Sequence, residues 1–367
     1  MSGVAPMTQR AVSPAQPSSA IARVMVCDDS LVIRSAISRI LEADPAIRVV
    51  AKVANGKLAV EEIRRAPVDV IVLDIEMPVM DGLTALPLLL QADPRVRVIM
   101  ASTLTTRGAD IALRALRLGA ADYVPKPSTV GIKGNEAFGQ ELVAKVKGLA
   151  RLRTGTAGTL PAGGPIKTRP GPKLPPRLLA IGSSTGGPQA LFTLFQGLGT
   201  GLRVPIVVTQ HMPPTFTPIL ADHISRLGQT PCTEARDGEP LLPGHAYLAP
   251  GDRHLIVEGN RASLRGRVTM DPPENFCRPA VDPMLRSAAA ACEGRVLIAI
   301  LTGMGHDGLA GTRSTVDAGG CAIGQDEATS IVWGMPGAIA QAGLCHAVLP
   351  LPKIAPRLIE LLRGAGS

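Results

Sequence analysis

Two groups of residues in this chain have the types and spacing to do chemistry. In the first, Ser184 stands in Ile181-Gly182-Ser183-Ser184-Thr185-Gly186-Gly187-Pro188, His211 in Gln210-His211-Met212-Pro213-Pro214, and Asp307 in Leu301-Thr302-Gly303-Met304-Gly305-His306-Asp307-Gly308. Serine, imidazole and carboxylate have the composition of a hydrolytic triad, in which the acid fixes the tautomer of the base and the base activates the hydroxyl. In the second group, Asp28, Asp29 and Asp74 follow apolar runs, and Ser102 and Lys126 follow two more. Three adjacent carboxylates repel one another unless a hard cation sits among them, and oxygen-only ligation suits Mg2+. The hydroxyl and the ammonium could then bind phosphoryl oxygens.

Local sequence supports the first group without completing it. Pro188 suits the first turn of a helix, where its missing N–H is not needed. Ser184 therefore lies on a strand-to-helix turn, beside free amides and a positive dipole end that favour an oxyanion. Gly182-Ser183-Ser184-Thr185-Gly186 also matches G-x-S-x-G, but two adjacent serines compete for the nucleophile's role. Among the other histidines, His223 falls inside a helical pattern, and His245, His254 and His346 lie near turns or strand starts; His306 is set aside as the neighbour of Asp307. A rival reading takes Gly303 to Gly308 as G-x-G-x-x-G with Asp326 as the ribose-binding acid. It would put the Asp307 carboxylate inside a pyrophosphate-binding loop, and it leaves Ser184 and His211 unexplained.

The elements that must position these groups alternate strand and helix twice over. Val24 to Cys27, Val49 to Val53, Val68 to Leu73, Val96 to Ala101 and Ala121 to Pro125 read as strands. Ile33, Ala36, Ile37, Ile40 and Leu41 have the spacing of one helix face. The pattern predicts a five-stranded, doubly wound parallel sheet over residues 21–153. From Arg177 onward, Leu178 to Ile181, Val204 to Thr209, Val296 to Leu301 and Cys321 to Ile323 read as strands of a second α/β unit, residues 177–364, placing Ser184, His211 and Asp307 at three strand tips. Residues 1–20, rich in Pro and Ser, read as a disordered tail, and residues 154–176, rich in Gly, Pro and Thr, as a flexible basic linker.

Composition narrows the function classes. The 367 residues suit two domains. The net charge is +8, and the stretch from Leu142 to Arg177 carries eight basic residues and no acidic one. Most of that stretch is linker, so a solvated connector is the plain reading of this charge and contact with an acidic surface the sharper one. Aromatics make up 2%, too few for base-stacking platforms. The six cysteines form no C-x-x-C pair, which suits reduced thiols. Apolar runs such as Val296 to Leu301 are too short to span a bilayer, and no secretory leader is evident. The expectation is a cytoplasmic protein with no nucleic-acid partner and no membrane insertion.

Whole motifs then carry two resemblances. Cys27-Asp28-Asp29-Ser30, Leu73 to Gly82, Ala101-Ser102-Thr103 and Tyr123-Val124-Pro125-Lys126-Pro127 together resemble the response-regulator receiver domain. The triad order Ser, His, Asp differs from the Ser, Asp, His order of α/β-hydrolases. From Leu178 to Leu362 the chain instead resembles the catalytic domain of the chemotaxis protein-glutamate methylesterases. The carrying motifs are those around Ser184, His211 and Asp307, with Tyr247 to Gly251, His254-Leu255, Arg278-Pro279, Val281-Asp282, Gln325 to Ser330 and Gly334-Met335-Pro336. Ser183 replaces a usual alanine, and Ala280 stands where serine is frequent.

The receiver resemblance implies Asp74 as phosphoacceptor and Mg2+ held by Asp28, Asp29, Asp74 and the Glu76 carbonyl. It also implies Ser102 and Lys126 on the phosphoryl group, with Tyr123 as the switch aromatic. The methylesterase resemblance implies Ser184 as nucleophile, His211 as base, Asp307 as orienting acid and the Met304 N–H in the oxyanion hole, with no cofactor for catalysis. Together they imply an α/β protein with a receiver joined to a Rossmann-like methylesterase domain. Its phosphorylation-activated hydrolysis would act on glutamate methyl esters, and on glutamines, of methyl-accepting chemoreceptors, with a chemotaxis-type histidine kinase as partner. The alternative is a receiver-regulated adaptor or dinucleotide sensor without catalysis.

Overall fold

A computed structural model describes residues 21–102, 105–126, 132–154 and 168–363. The tail and most of the linker lie outside the described residues. The first unit runs β1 (Ala22–Cys27), α1 (Leu31–Glu42), β2 (Ile47–Val53), α2 (Gly56–Ile63), β3 (Val70–Asp74), α3 (Gly82–Ala92), β4 (Arg97–Ser102), α4 (Thr106–Arg117), β5 (Asp122–Pro125) and α5 (Ile132–Thr154). Its five strands are parallel in the order β2-β1-β3-β4-β5. The order reverses between β1 and β3, where doubly wound sheets open a crevice at their carboxyl ends. Asp28 and Asp74 stand there.

Local signals explain these elements. Ser30 caps α1 by accepting from the Ile33 N–H, and the helix turns Ile37 and Leu41 into the core. Asp81 caps α3 through the Thr84 N–H, 2.7 Å away. All five residues of β3 are buried, as expected of a central parallel strand covered on both faces.

The second unit runs β6 (Leu178–Ser183), α6 (Gly187–Leu198), β7 (Ile206–Gln210), α7 (Thr217–Gly228), β8 (Cys232–Glu234), β9 (Ala246–Leu248), β10 (His254–Gly259), β11 (Leu264–Thr269), α8 (Val281–Ala291), β12 (Val296–Ile300), α9 (Leu309–Asp317), β13 (Cys321–Gln325), α10 (Met335–Gln341), β14 (Ala347–Leu349) and α11 (Leu351–Arg363). Seven strands form one sheet in the order β14-β13-β12-β6-β7-β9-β8, all neighbours parallel. An antiparallel hairpin, β10 with β11, stands apart from it. Sequence reading finds β6, β7, β12 and β13 but not the hairpin or the short strands β8, β9 and β14, each three residues long. Three residues carry no usable periodicity.

The two units pack together. Helix α4 lies against α6 and α7, and one buried apolar cluster runs from Leu113, Leu116 and Tyr123 to Phe192, Phe195 and Phe216. At the far end of the linker, the Arg169 N–H donates to Cys345 O at 2.9 Å, and His346 Nδ1 lies 2.9 Å from Arg169 O.

Candidate active site and phosphoacceptor pocket

Sheet register brings the first group together. Ser183 pairs with Gln210 across β6 and β7, so Ser184 and His211 are each one residue beyond the last rung of adjacent parallel strands. On the other side, Gly182 pairs with Ile300 at the end of β12, and the following loop carries Asp307. The Ser184 N–H donates to Thr302 O at 3.0 Å, which ties the serine turn to that loop. Gly303 lies so close that a Cβ there would sit 2.9 Å from Ser184 Cβ. Gly186, with φ +73, lets the chain turn into α6.

The two serines have different surroundings. Ser183 is fully buried, and its hydroxyl donates to Gln210 Oε1 at 2.7 Å. The Gln210 amide in turn donates to the carbonyls of Ser184, at 2.9 Å, and His211, at 3.0 Å. Ser184 is partly exposed.

His211 Nε2 lies 2.7 Å from Asp307 Oδ2. Asp307 is 2% exposed, and it accepts four further hydrogen bonds: from the N–H groups of Val281 at 2.6 Å, Asp282 at 3.1 Å and Gly308 at 2.9 Å, and from Asn275 Nδ2 at 3.0 Å. Val281 and Asp282 open α8, so the carboxylate plugs a helix N-terminus, where free amides and the dipole favour an anion. Burial alone would raise the Asp307 pKa, yet these donors and His211 hold it below the usual value. Burial likewise works against an imidazolium at His211, but hydrogen bonds with Asp307 and Cys277 push its pKa up to about 9. Because Nε2 is taken by Asp307, the nitrogen left to exchange a proton with a hydroxyl is Nδ1. Cys277 Sγ sits 3.4 Å from it. Met304 lies on the loop that carries Asp307 and is 41% exposed. Gly303 fixes that loop through its carbonyl, which accepts from Gly334 and Met335 N–H.

Asn275 and Cys277 are contacts that the sequence does not announce. They belong to a turn 30 residues before Asp307 whose meeting with His211 and Asp307 is purely tertiary. By contrast, the rival dinucleotide elements have other duties. Asp307 is consumed as above, and Asp326 caps a turn by accepting from the Thr329 N–H at 3.0 Å.

The second group also converges. The ligand atoms of Asp28, Asp29 and Asp74 lie within 4.8 Å of one another. Lys126 Nζ reaches Asp74 Oδ2 at 2.7 Å and Asp28 Oδ2 at 3.2 Å. Those two oxygens are buried ion-pair partners that receive no well-directed hydrogen bond, so the donor set fits a divalent cation that would complete them. Burial pushes the Asp74 pKa up to about 6 against the pull of Lys126. Burial opposes the charge on Lys126 too, but Asp74 and Asp28 hold its pKa above the ordinary lysine value. Ser102, buried, ends β4 opposite Pro125, and its carbonyl accepts from the Lys126 N–H at 2.7 Å. Glu76 is exposed beside the cluster, and its N–H donates to Asp74 Oδ1 at 3.3 Å.

Contacts link the two pockets. The Tyr123 ring stacks on Phe216 of the second unit, with centroids 4.7 Å apart. Asp122 Oδ2 accepts from the Gly186 N–H at 3.2 Å, two residues beyond Ser184, while pairing with buried Lys145 at 3.1 Å. Arg151 pairs with Glu327 at 2.9 Å and His223 with Asp110 at 3.3 Å. The first unit therefore holds the turn that carries Ser184. No helix among the described residues is long and apolar enough to cross a membrane.

Fold and site define a class: a receiver domain packed on an α/β hydrolytic domain. Comparison with known proteins agrees. The family model for the response regulator receiver domain matches residues 24–131, and that for CheB methylesterase matches residues 179–358. The chain is 56% identical over 364 residues to the protein-glutamate methylesterase/protein-glutamine glutaminase of group 2 operon from Rhodospirillum centenum, covering 91% of this chain and 92% of that one. It is 56% identical over 358 residues to the enzyme of the same activity name from Azospirillum brasilense, covering 91% of each chain. Among solved structures, the CheB methylesterase catalytic domain of Thermotoga maritima is similar, with 39% identity and a TM-score of 0.50, covering 51% of this chain and all of that one. The chain belongs to the protein-glutamate methylesterase/protein-glutamine glutaminase family.

Proposed function

We propose that this chain is a phosphorylation-activated esterase that hydrolyses glutamate methyl esters, and deamidates glutamines, on methyl-accepting chemoreceptors. The observation that carries the reading is the His211–Asp307 pair, anchored at the N-terminus of α8 and placed one strand from Ser184. The Ser184 hydroxyl adds to the ester carbonyl as His211 Nδ1 takes its proton. The tetrahedral oxyanion forms beside the Met304 amide. Collapse of that intermediate passes the proton to methanol, or to ammonia when the substrate is glutamine, and leaves an acyl-serine. Water, deprotonated by the same imidazole, then releases glutamate. Asp307 does not move a proton; it holds the ring and stabilises the imidazolium.

Regulation rests on Asp74. Asp28, Asp29, Asp74 and the Glu76 carbonyl would hold Mg2+, which would neutralise charge while the Asp74 carboxylate takes a phosphoryl group from a chemotaxis-type histidine kinase. Phosphorylation adds about −1.5 to −2 charge and three acceptor oxygens, which Lys126 and Ser102 would bind. Ser102 ends β4 opposite Pro125, two residues beyond the Met100–Tyr123 rung of the same strand pair, and Tyr123 stacks on Phe216 of the catalytic unit. A change at that ring would loosen the receiver's hold on the Ser184 turn. The test is methanol release from methylated receptor membranes, with and without acetyl phosphate. Stimulated release is the expected result; none under either condition would overturn the reading.

A further inference from the structure

The turn that steadies the triad also projects an unexplained side chain. Glu274 and Cys277 exchange backbone hydrogen bonds of 3.1 and 2.9 Å, closing a two-residue turn over Asn275 and Phe276, with φ of 53 and 62. Positive φ at both central positions is the type I′ geometry, which favours Asn at the first and usually Gly at the second. A phenylalanine there is costly for the backbone. Three of the four residues are tied down. Glu274 forms a two-pronged pair with Arg286, at 2.6 Å for each contact; Asn275 reaches Asp307 and Asp282; Cys277 reaches His211.

Phe276 is held by none of this and is fully exposed, with both units in place. The other four phenylalanines are buried, so the chain otherwise spends this side chain only on packing. Two methionines on segments that contact this turn or its flank are exposed as well: Met304, on the loop that carries Asp307, is 41% exposed, and Met270, whose carbonyl contacts Arg278, is 58% exposed.

We propose that Phe276 is a specificity-determining residue that docks on the apolar side of the receptor helix beside the glutamyl ester being cleaved. The proposal rests on the receptor-esterase reading above. A substrate glutamate on a helix brings its i±3 and i±4 neighbours to within about 5–6 Å of its own position, so a protein substrate must cover the rim around His211. A small ester does not. The turn is preorganised by its three anchors, so docking on Phe276 orders little new backbone.

The test uses the full chain with acetyl phosphate, measuring methanol release from methylated receptor membranes and, in parallel, hydrolysis of p-nitrophenyl acetate. Phe276→Ala is expected to raise KM for receptors by roughly tenfold or more, with kcat and small-ester hydrolysis little changed, and Phe276→Leu to recover most of the loss. An unchanged receptor KM in Phe276→Ala would overturn the proposal. So would an equal loss on both substrates, because that would make Phe276 a support of the turn. Absence of methanol release by the unaltered chain, with the small ester still cleaved, would overturn the receptor reading and the docking with it, a result distinct from an unchanged KM.

Discussion

Asp74 and Asp307 are both aspartates at the carboxyl ends of parallel sheets, 1% and 2% exposed, yet their surroundings drive them in opposite directions. Asp307 receives five hydrogen bonds, two of them from the first amides of α8, and its pKa is lowered. Asp74 receives one N–H at 3.3 Å and the Lys126 ion pair, faces Asp28, and has its pKa pushed up to about 6. The first is a completed anion, suited to stay fixed while a neighbouring imidazole changes charge. The second is an incomplete one, suited to gain a cation and a phosphoryl group. Equal burial thus supports opposite roles, and the count of donors separates them.

The largest effects should come from breaking the completed site. Triad members act as a unit, so Ser184→Ala and His211→Ala should each cost about 10^6 in kcat, with Asp307→Ala costing less, about 10^4. Ser183→Ala should remain active, because its hydroxyl is engaged with Gln210. Steady-state methanol release measures all four, and an acyl group trapped on Ser183 would reverse the assignment.

Breaking the incomplete site should leave chemistry intact and remove control. Asp74→Asn is expected to keep the basal rate and lose acetyl-phosphate stimulation, an effect of about 5- to 150-fold if the two sites couple by about 1–3 kcal/mol. Undiminished stimulation in that variant would place the phosphoacceptor elsewhere.

A smaller effect should appear between the two sites. Phe216→Ala removes the stack on Tyr123 and with it part of the interface, so the unphosphorylated rate should rise several-fold while the maximal stimulated rate stays level. A fall in both rates would mean that the receiver supports the catalytic unit directly and does not restrain it.

Much of this was readable before folding is considered, for identifiable reasons. Central parallel strands such as β3, β6 and β12 are apolar along most of their length and end abruptly at Asp74, Ser184 and the Thr302 loop, so both the strands and the polar residues at their tips stand out. The order of Ile33, Ile37, Ile40 and Leu41 similarly reveals α1. What escaped depends on tertiary contact. Strands β8, β9 and β14 are too short to show a period, and the Ser183 and Ser184 hydroxyls differ only in what surrounds them. Asn275 and Cys277 reach the triad from a separate turn, and Asp122 reaches Gly186 from another domain. No local pattern encodes those meetings.

The contrast between the two aspartates can be measured by 13C NMR titration of their carboxylates in the full chain, first without metal and then with Mg2+. Asp74 should titrate near pH 6 without metal and move to lower pH as Mg2+ is added, because a bound cation favours its ionised form. Asp307 should remain ionised below the ordinary aspartate range in both titrations. Titration of both groups together near the unperturbed value, or of Asp307 above Asp74, would contradict the account.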